Sequence, residues 1–248
     1  MSVTATSRTS RIRSNAAALS AAQKPSRGTA AYSRYVNRPL GRRVAAVAAA
    51  FGVTPNQATA VSATLSFSGL LLLCLAEPSL GVGLAVSALL AAGYVMDSVD
   101  GQIARLTGTG SRSGEWLDHT VDCFKTCSFH LAVLISFFRF PPVESDWALL
   151  VPVGFQIVDM VTFFGLIMMP LLRQGADAPA PTADAPPENP LRTWAILPTD
   201  YGIFCWVFVL MGWPTLYFAG YTALFVINAL VLAVVLRKWW RELKAMDR

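Results

Sequence analysis

From Tyr201 to Leu236 the chain runs 36 residues without an Asp, Glu, Lys or Arg. As one straight helix this run would measure ~54 Å at 1.5 Å per residue. The apolar core of a bilayer is only ~30 Å thick. Trp213-Pro214 and Gly220 offer a break, so two helices joined by a tight turn are expected. Three more segments are nearly as poor in charge. Gly52–Ala76 and Pro78–Met96 carry none, and Trp147–Leu172 carries only Asp159. A further apolar stretch, Thr126–Phe138, follows the polar start at Asp118. Spanning takes about 20 apolar residues, so these segments predict an all-α integral membrane protein with six transmembrane helices. Composition agrees: 14% of residues are charged, against about 25% in an ordinary soluble domain.

The basic residues fix an orientation. Nine of the 20 Lys and Arg precede Phe51, and five lie from Arg237 onward. With a cytoplasmic N-terminus, only Lys125 and Arg139 fall outside the cytoplasmic loops and tails, which is the positive-inside pattern. A multi-pass protein of the cell membrane with both termini cytoplasmic is expected. Its basic tails face anionic lipid, not nucleic acid.

Residues 1–30 are rich in Ser, Ala, Thr and Arg and are read as a disordered basic tail. No apolar core follows their charges, so no signal peptide is expected. Within 31–51, Val36, Leu40, Val44, Val47 and Phe51 recur at helical spacing. Arg34, Arg38 and Arg42 recur on another face. This is an interfacial amphipathic helix, started or bent at Pro39. Its arginines either hold anionic groups near the site or clamp the helix to the membrane. The six spans occupy 52–240, interrupted by a Pro-, Ala- and Asp-rich linker at 174–190 placed in the cytoplasm. A short basic tail, 241–248, follows. Cys74, Cys123, Cys127 and Cys205 all sit in apolar stretches and read as small buried hydrophobes.

The chemistry concentrates between the second and third spans. Asp97 and Asp100 are three apart, and Asp118 and Asp122 four apart, so each pair shares a helix face. A loop of Gly, Ser and Thr joins the two segments, letting antiparallel helices bring four carboxylates together. Such a cluster needs protons or cations. All-oxygen ligation suits Mg²⁺ or Mn²⁺, and two such ions can bridge a diphosphate. Gly101 and Ala104 extend the Asp97–Asp100 face without bulk, leaving room for a nucleotide. Arg105 can pair with phosphate oxygens.

These residues carry a resemblance. D-x2-D-G-x2-A-R-x8-G-x3-D-x3-D is matched at every fixed position by Asp97, Asp100, Gly101, Ala104, Arg105, Gly114, Asp118 and Asp122. That pattern resembles the signature of the CDP-alcohol phosphotransferase family. Thr54-Pro55-Asn56-Gln57 also resembles a stretch found there. The resemblance implies that Asp97, Asp100, Asp118 and Asp122 surround two Mg²⁺ or Mn²⁺ ions. It implies that Gly101, Ala104, Arg105 and Gly114 shape the CDP site, and that Asp122 is the general base. An acceptor alcohol then attacks the β-phosphorus of a CDP-linked donor and CMP leaves. The family works as a membrane homodimer. The donor is expected to be CDP-diacylglycerol; the alternative is a soluble CDP-alcohol donating to a lipid hydroxyl.

Other polar residues stay open at this point. Lys125 either binds an acceptor phosphate or neutralises the acids. Asp159 is a functional or a hydrogen-bonded structural acid. His130 reads as a packing residue. Arg173 and Arg192 either recognise an anionic acceptor or follow positive-inside bias. His119 lies ~100° round the helix from Asp118 and is not counted as a ligand. Two rival classes fit less well. Intramembrane prenyltransferases separate their two Asp-rich motifs widely, whereas here twelve residues lie between Arg105 and Asp118. Cation transporters show repeats and broken helices, and place acids at the midplane, where only Asp159 lies.

Overall fold

The computed structural model describes residues 7–21, 29–174 and 190–247. Among them every regular element is helical. Helix α1 spans Arg8–Ala21. A π-helical turn, Ser33–Asn37, leads into α2, Arg38–Ala50. Then come α3, Pro55–Leu75, α4, Leu80–Thr107, and α5, Arg112–Arg139. A 3-10 turn opens α6, Leu150–Gln174. Short α7, Pro190–Ala195, and α8, Tyr201–Val207, precede the long α9, Pro214–Met246.

Local signals set the boundaries. α3 begins with a capping box: the Thr54 hydroxyl accepts from Gln57 N–H, and Gln57 reaches back to the Thr54 N–H at 2.9 Å. Ser79 caps α4 and Ser111 caps α5. α4 stops at Gly108, whose φ of 66° suits glycine. The short loop that follows folds α5 back along α4. α4 has 28 residues; twenty of them, ~30 Å, run from Leu80 to Val99. Asp97 and Asp100 therefore sit at the far boundary of an apolar layer.

Among the described residues, five helices are long and apolar enough to cross a membrane: Pro55–Leu75, Leu80–Thr107, Arg112–Arg139, Asp146–Arg173 and Pro214–Met246. The expected fifth of six spans differs. Tyr201–Val207 is α-helical, but Phe208–Gly212 winds as 3-10 helix, together ~20 Å. It runs antiparallel to α4. The Tyr201 ring lies 5.0 Å from Tyr94, and Gly212 rests against Leu80. The break falls at Trp213, which is extended, because Pro214 has no N–H to continue a helix. Gly220 is no break; it lies inside α9 against Leu210.

Between helices in lipid there is little hydrophobic drive, so close approach of small residues matters most. A Cβ on Gly93 would overlap the Ser66 hydroxyl, and one on Gly83 would overlap the Phe208 carbonyl. These contacts fix α3 and the 3-10 stretch Phe208–Gly212 against α4. Leu73, Val86, Leu90, Phe129, Val133 and Phe208 fill the space between.

The amphipathic helix appears as expected. Val36, Leu40, Val44, Val47 and Phe51 are exposed, while Gly41, Ala45 and Ala46 face the bundle. Ahead of Pro39 the coil widens: Arg38 N–H bonds to Ser33 O, five residues back. The disordered tail expected over 1–30 is corrected for Arg8–Ala21. That helix packs Ala16 and Leu19 on Ala45 and Ala46. Arg11 donates to Ala50 O at 2.9 Å, and Asn15 to Ala46 O at 3.1 Å. The small Ala side chains of α2 leave the room for this layer. The linker expected at 174–190 lies almost wholly outside the described residues.

Candidate active site

Helices α4 and α5 bring the four aspartates together in antiparallel register. Asp97 faces Asp122, and Asp100 faces Asp118. The two pairs are not equivalent. Lys125, buried one turn beyond Asp122, ion-pairs with Asp97 and holds Asp122 Oδ1 at 2.8 Å. Its Nζ also donates to Ser62 Oγ at 3.2 Å, and Ser62 donates in turn to Gly93 O at 2.8 Å. Of the two readings left open for Lys125, neutralisation of the acids is the one seen here.

Asp100 is buried and accepts from the Thr59 hydroxyl at 2.6 Å, which aims its carboxylate toward Asp118. These two carboxylates lie on the wall of a cavity of about 500 Å³. Gly101, Ala104, Arg105 and Gly114 line it, as do Pro55 and Asn56 from the start of α3. The capping box on Thr54 thus has a consequence for the site, since it presents Asn56 to the cavity. A Cβ on Gly114 would stand 3.1 Å from Ser111 Oγ and 3.5 Å from Asn56 Oδ1, so a side chain there would narrow the cavity. A Cβ on Gly101 would meet the Arg105 guanidinium at 3.3 Å.

A smaller cavity of about 190 Å³ opens on the other side of Gly101, bounded by Asp97, Asp100 and Asp118 and by Arg38 and Arg105. Arg38 comes from the amphipathic helix. The sequence grouped it with Arg34 and Arg42 by spacing alone; only the packing of α2 on α4 singles it out.

The donor set fits hard divalent cations. Asp100 and Asp118 are two carboxylates side by side, which repel unless a proton or cation lies between them. His119 comes closer than its helical angle suggested. One ligand atom each from Asp118, His119 and Asp122 lie within 4.8 Å of one another, and His119 also borders the large cavity.

The remaining candidates acquire partners away from the site. His130 Nδ1 lies 2.6 Å from the Tyr221 hydroxyl, its Nε2 lies 3.4 Å from Asp159, and its ring stacks on Phe155. His130 and Asp159 are thus one cross-helix contact, a pairing the sequence did not reveal. Arg173 donates twice to Glu242, at 2.7 and 3.0 Å, and ties the ends of α6 and α9. The Arg192 side chain lies outside the described residues.

Comparison with known proteins bears on the family and the fold. Archaetidylinositol phosphate synthase of Pyrococcus horikoshii is 32% identical over 100 residues, covering 40% of this chain and 50% of that protein. The chain thus spans about half the length of the curated relative it matches. The crystal structure of Mycobacterium tuberculosis phosphatidylinositol phosphate synthase in complex with manganese and citrate shares the fold. Its TM-score is 0.54 at 22% identity, over 83% of this chain and 89% of that one. Residues 52–239, a stretch that holds α4, α5, the larger cavity and all four aspartates, match the CDP-alcohol phosphatidyltransferase family, and the chain belongs to that family.

Proposed function

We propose that the chain is a membrane phosphotransferase that transfers a phosphatidyl group from CDP-diacylglycerol to an alcohol and releases CMP. The observation that carries this reading is the convergence of Asp97, Asp100, Asp118 and Asp122 beside the cavity lined by Gly101, Ala104, Arg105 and Gly114. The cavity takes the cytidine end. Glycine and alanine let the nucleotide lie against α4, and Arg105 meets phosphate oxygens in its planar fork.

Asp100 and Asp118, with Asp97 and Asp122 beside them, hold Mg²⁺ or Mn²⁺. When bound, two such ions supply charge neutralisation of the diphosphate and of the oxyanion that leaves. Thr59 keeps Asp100 turned toward the cavity. Asp122 takes the proton of the acceptor hydroxyl. The acceptor oxygen forms a bond to the β-phosphorus, the bond from that phosphorus to the CMP oxygen breaks, and CMP leaves with the electron pair. Lys125 holds the Asp122 carboxylate in place at 2.8 Å.

Both relatives are named for inositol phosphate products, which supports a phosphorylated inositol as the first acceptor to test. The orientation with cytoplasmic termini, the cell membrane as location, the homodimer and the catalytic unit at 52–240 belong to the same reading. They rest on the basic-residue asymmetry and the family resemblance. Purified protein supplied with CDP-diacylglycerol and a panel of alcohols tests it. One acceptor should yield a new lipid in equal amount to CMP. A CDP-alcohol consumed with diacylglycerol, and no turnover of CDP-diacylglycerol, would reverse the assignment of donor and acceptor.

A further inference from the structure

The smaller cavity has a composition that the aspartates alone do not explain. Two guanidinium groups, Arg38 and Arg105, line one space of about 190 Å³. Both stand beside the carboxylates of Asp97, Asp100 and Asp118, so cations and acids share one space at the site. A third feature lies beside the same space. Gln102 borders it, is only 2% exposed, and its Oε1 finds no hydrogen-bond partner among the described residues. A buried acceptor of this kind normally has a donor.

The placement of Arg38 is built into the fold. Gly41, one turn beyond it, sits so close to α4 that a Cβ would overlap the Ser98 hydroxyl. Asn37 Nδ2 donates to Tyr94 O at 3.2 Å. Four residues earlier, Ser33 N–H and Oγ both donate to Asp200, at 2.8 and 3.0 Å. Asp200 also caps α8 through Gly202 N–H at 3.0 Å. The amphipathic helix is therefore fastened to α4 and α8 on both sides of Arg38. A helix that only lay on the membrane would need none of these contacts.

We propose that Arg38 is a substrate-binding residue: with Arg105 it grips a phosphoryl group in the smaller cavity, so the amphipathic helix forms one wall of the active site. This rests on the phosphotransferase reading above. The phosphoryl group belongs either to the donor diphosphate or to a phosphorylated acceptor, and the two are separable.

The test uses full-length protein in detergent with Mn²⁺ and compares wild type with Arg38→Gln, Arg38→Lys and Arg43→Gln. Arg43 is exposed on the same helix and serves as the charge control. CDP and CMP binding are measured by calorimetry, and the KM of a phosphorylated alcohol by CMP release. If Arg38 holds the donor, Arg38→Gln loses roughly tenfold of the preference for CDP over CMP. If it holds the acceptor, that preference stays and the acceptor KM rises by roughly tenfold. Arg38→Lys, which keeps charge and helix but not the fork, should fall between wild type and Gln in either case. Unchanged CDP preference and unchanged acceptor KM in both Arg38 variants would overturn the proposal and leave Arg38 a membrane clamp. Wild type that binds neither nucleotide would overturn the phosphotransferase reading, and this proposal with it.

Discussion

Lys125 on α5 ion-pairs with Asp97 on α4 while it holds Asp122, one turn back on its own helix, at 2.8 Å. One buried ammonium thus joins two of the four signature carboxylates, leaving Asp100 and Asp118 to face the large cavity. The acid cluster is thereby divided into a pair balanced by Lys125 and a pair on the cavity wall.

Removing that ammonium should expose the imbalance. Lys125→Met leaves Asp97 and Asp122 close together without their shared partner. The loss should be below the about 3–5 kcal/mol of a fully buried broken pair, because both carboxylates keep partial exposure. Added Mn²⁺ should stabilise the variant more than it stabilises wild type, since the ion supplies the missing charge. Thermal unfolding in detergent, with and without Mn²⁺, measures both. A variant as stable as wild type in chelator would show that the bridge carries no weight.

The contact between α4 and the 3-10 stretch Phe208–Gly212 makes a separate prediction about packing. Gly83→Ala puts a methyl group into the Phe208 carbonyl, a backbone atom that cannot swing away. A loss of about 1–3 kcal/mol is expected. Gly81→Ala, two residues earlier with open space around it, should be neutral or slightly stabilising. Equal unfolding temperatures for the two variants would mean that the close approach is not maintained.

Base and metal ligand can be told apart on α5. Asp122→Asn should lower turnover by about 10²–10⁴-fold while keeping CDP binding in Mn²⁺. Asp118→Asn should weaken ion and nucleotide binding together, because Asp118 lines the cavity and Asp122 does not. Titration of Mn²⁺ and CDP against both variants distinguishes them. If Asp122→Asn loses nucleotide binding as severely as Asp118→Asn, the base lies elsewhere.

Much of the site was legible because its geometry is local. Asp97–Asp100 and Asp118–Asp122 share faces by helical spacing alone, and a short Gly- and Ser-containing loop forces their helices antiparallel. What required the fold was register between distant helices. Nothing in the sequence around Lys125 says that Asp97 stands opposite, or around His130 that Asp159 does. Arg38, Arg34 and Arg42 are alike by pattern, and only the Gly41–Ser98 approach selects Arg38 for the site. The α1 helix was missed because Ser- and Ala-rich composition carries no periodic apolar signal. Its contacts are made to the bare Ala face of α2. The 3-10 winding of Phe208–Gly212 was equally invisible, since uncharged apolar sequence is compatible with either helix.

The central claim is that these carboxylates, loaded with a divalent cation, cleave a CDP-linked donor. Acceptor-dependent release of CMP from CDP-diacylglycerol by the purified protein tests it most directly, with wild type and Asp100→Asn run side by side. Wild type should release CMP with Mg²⁺ or Mn²⁺, stop on chelation and resume when the ion is restored. Asp100→Asn, folded to the same unfolding temperature, should release none above background. Full release by wild type in chelator, or near-wild-type release by Asp100→Asn, would contradict the account.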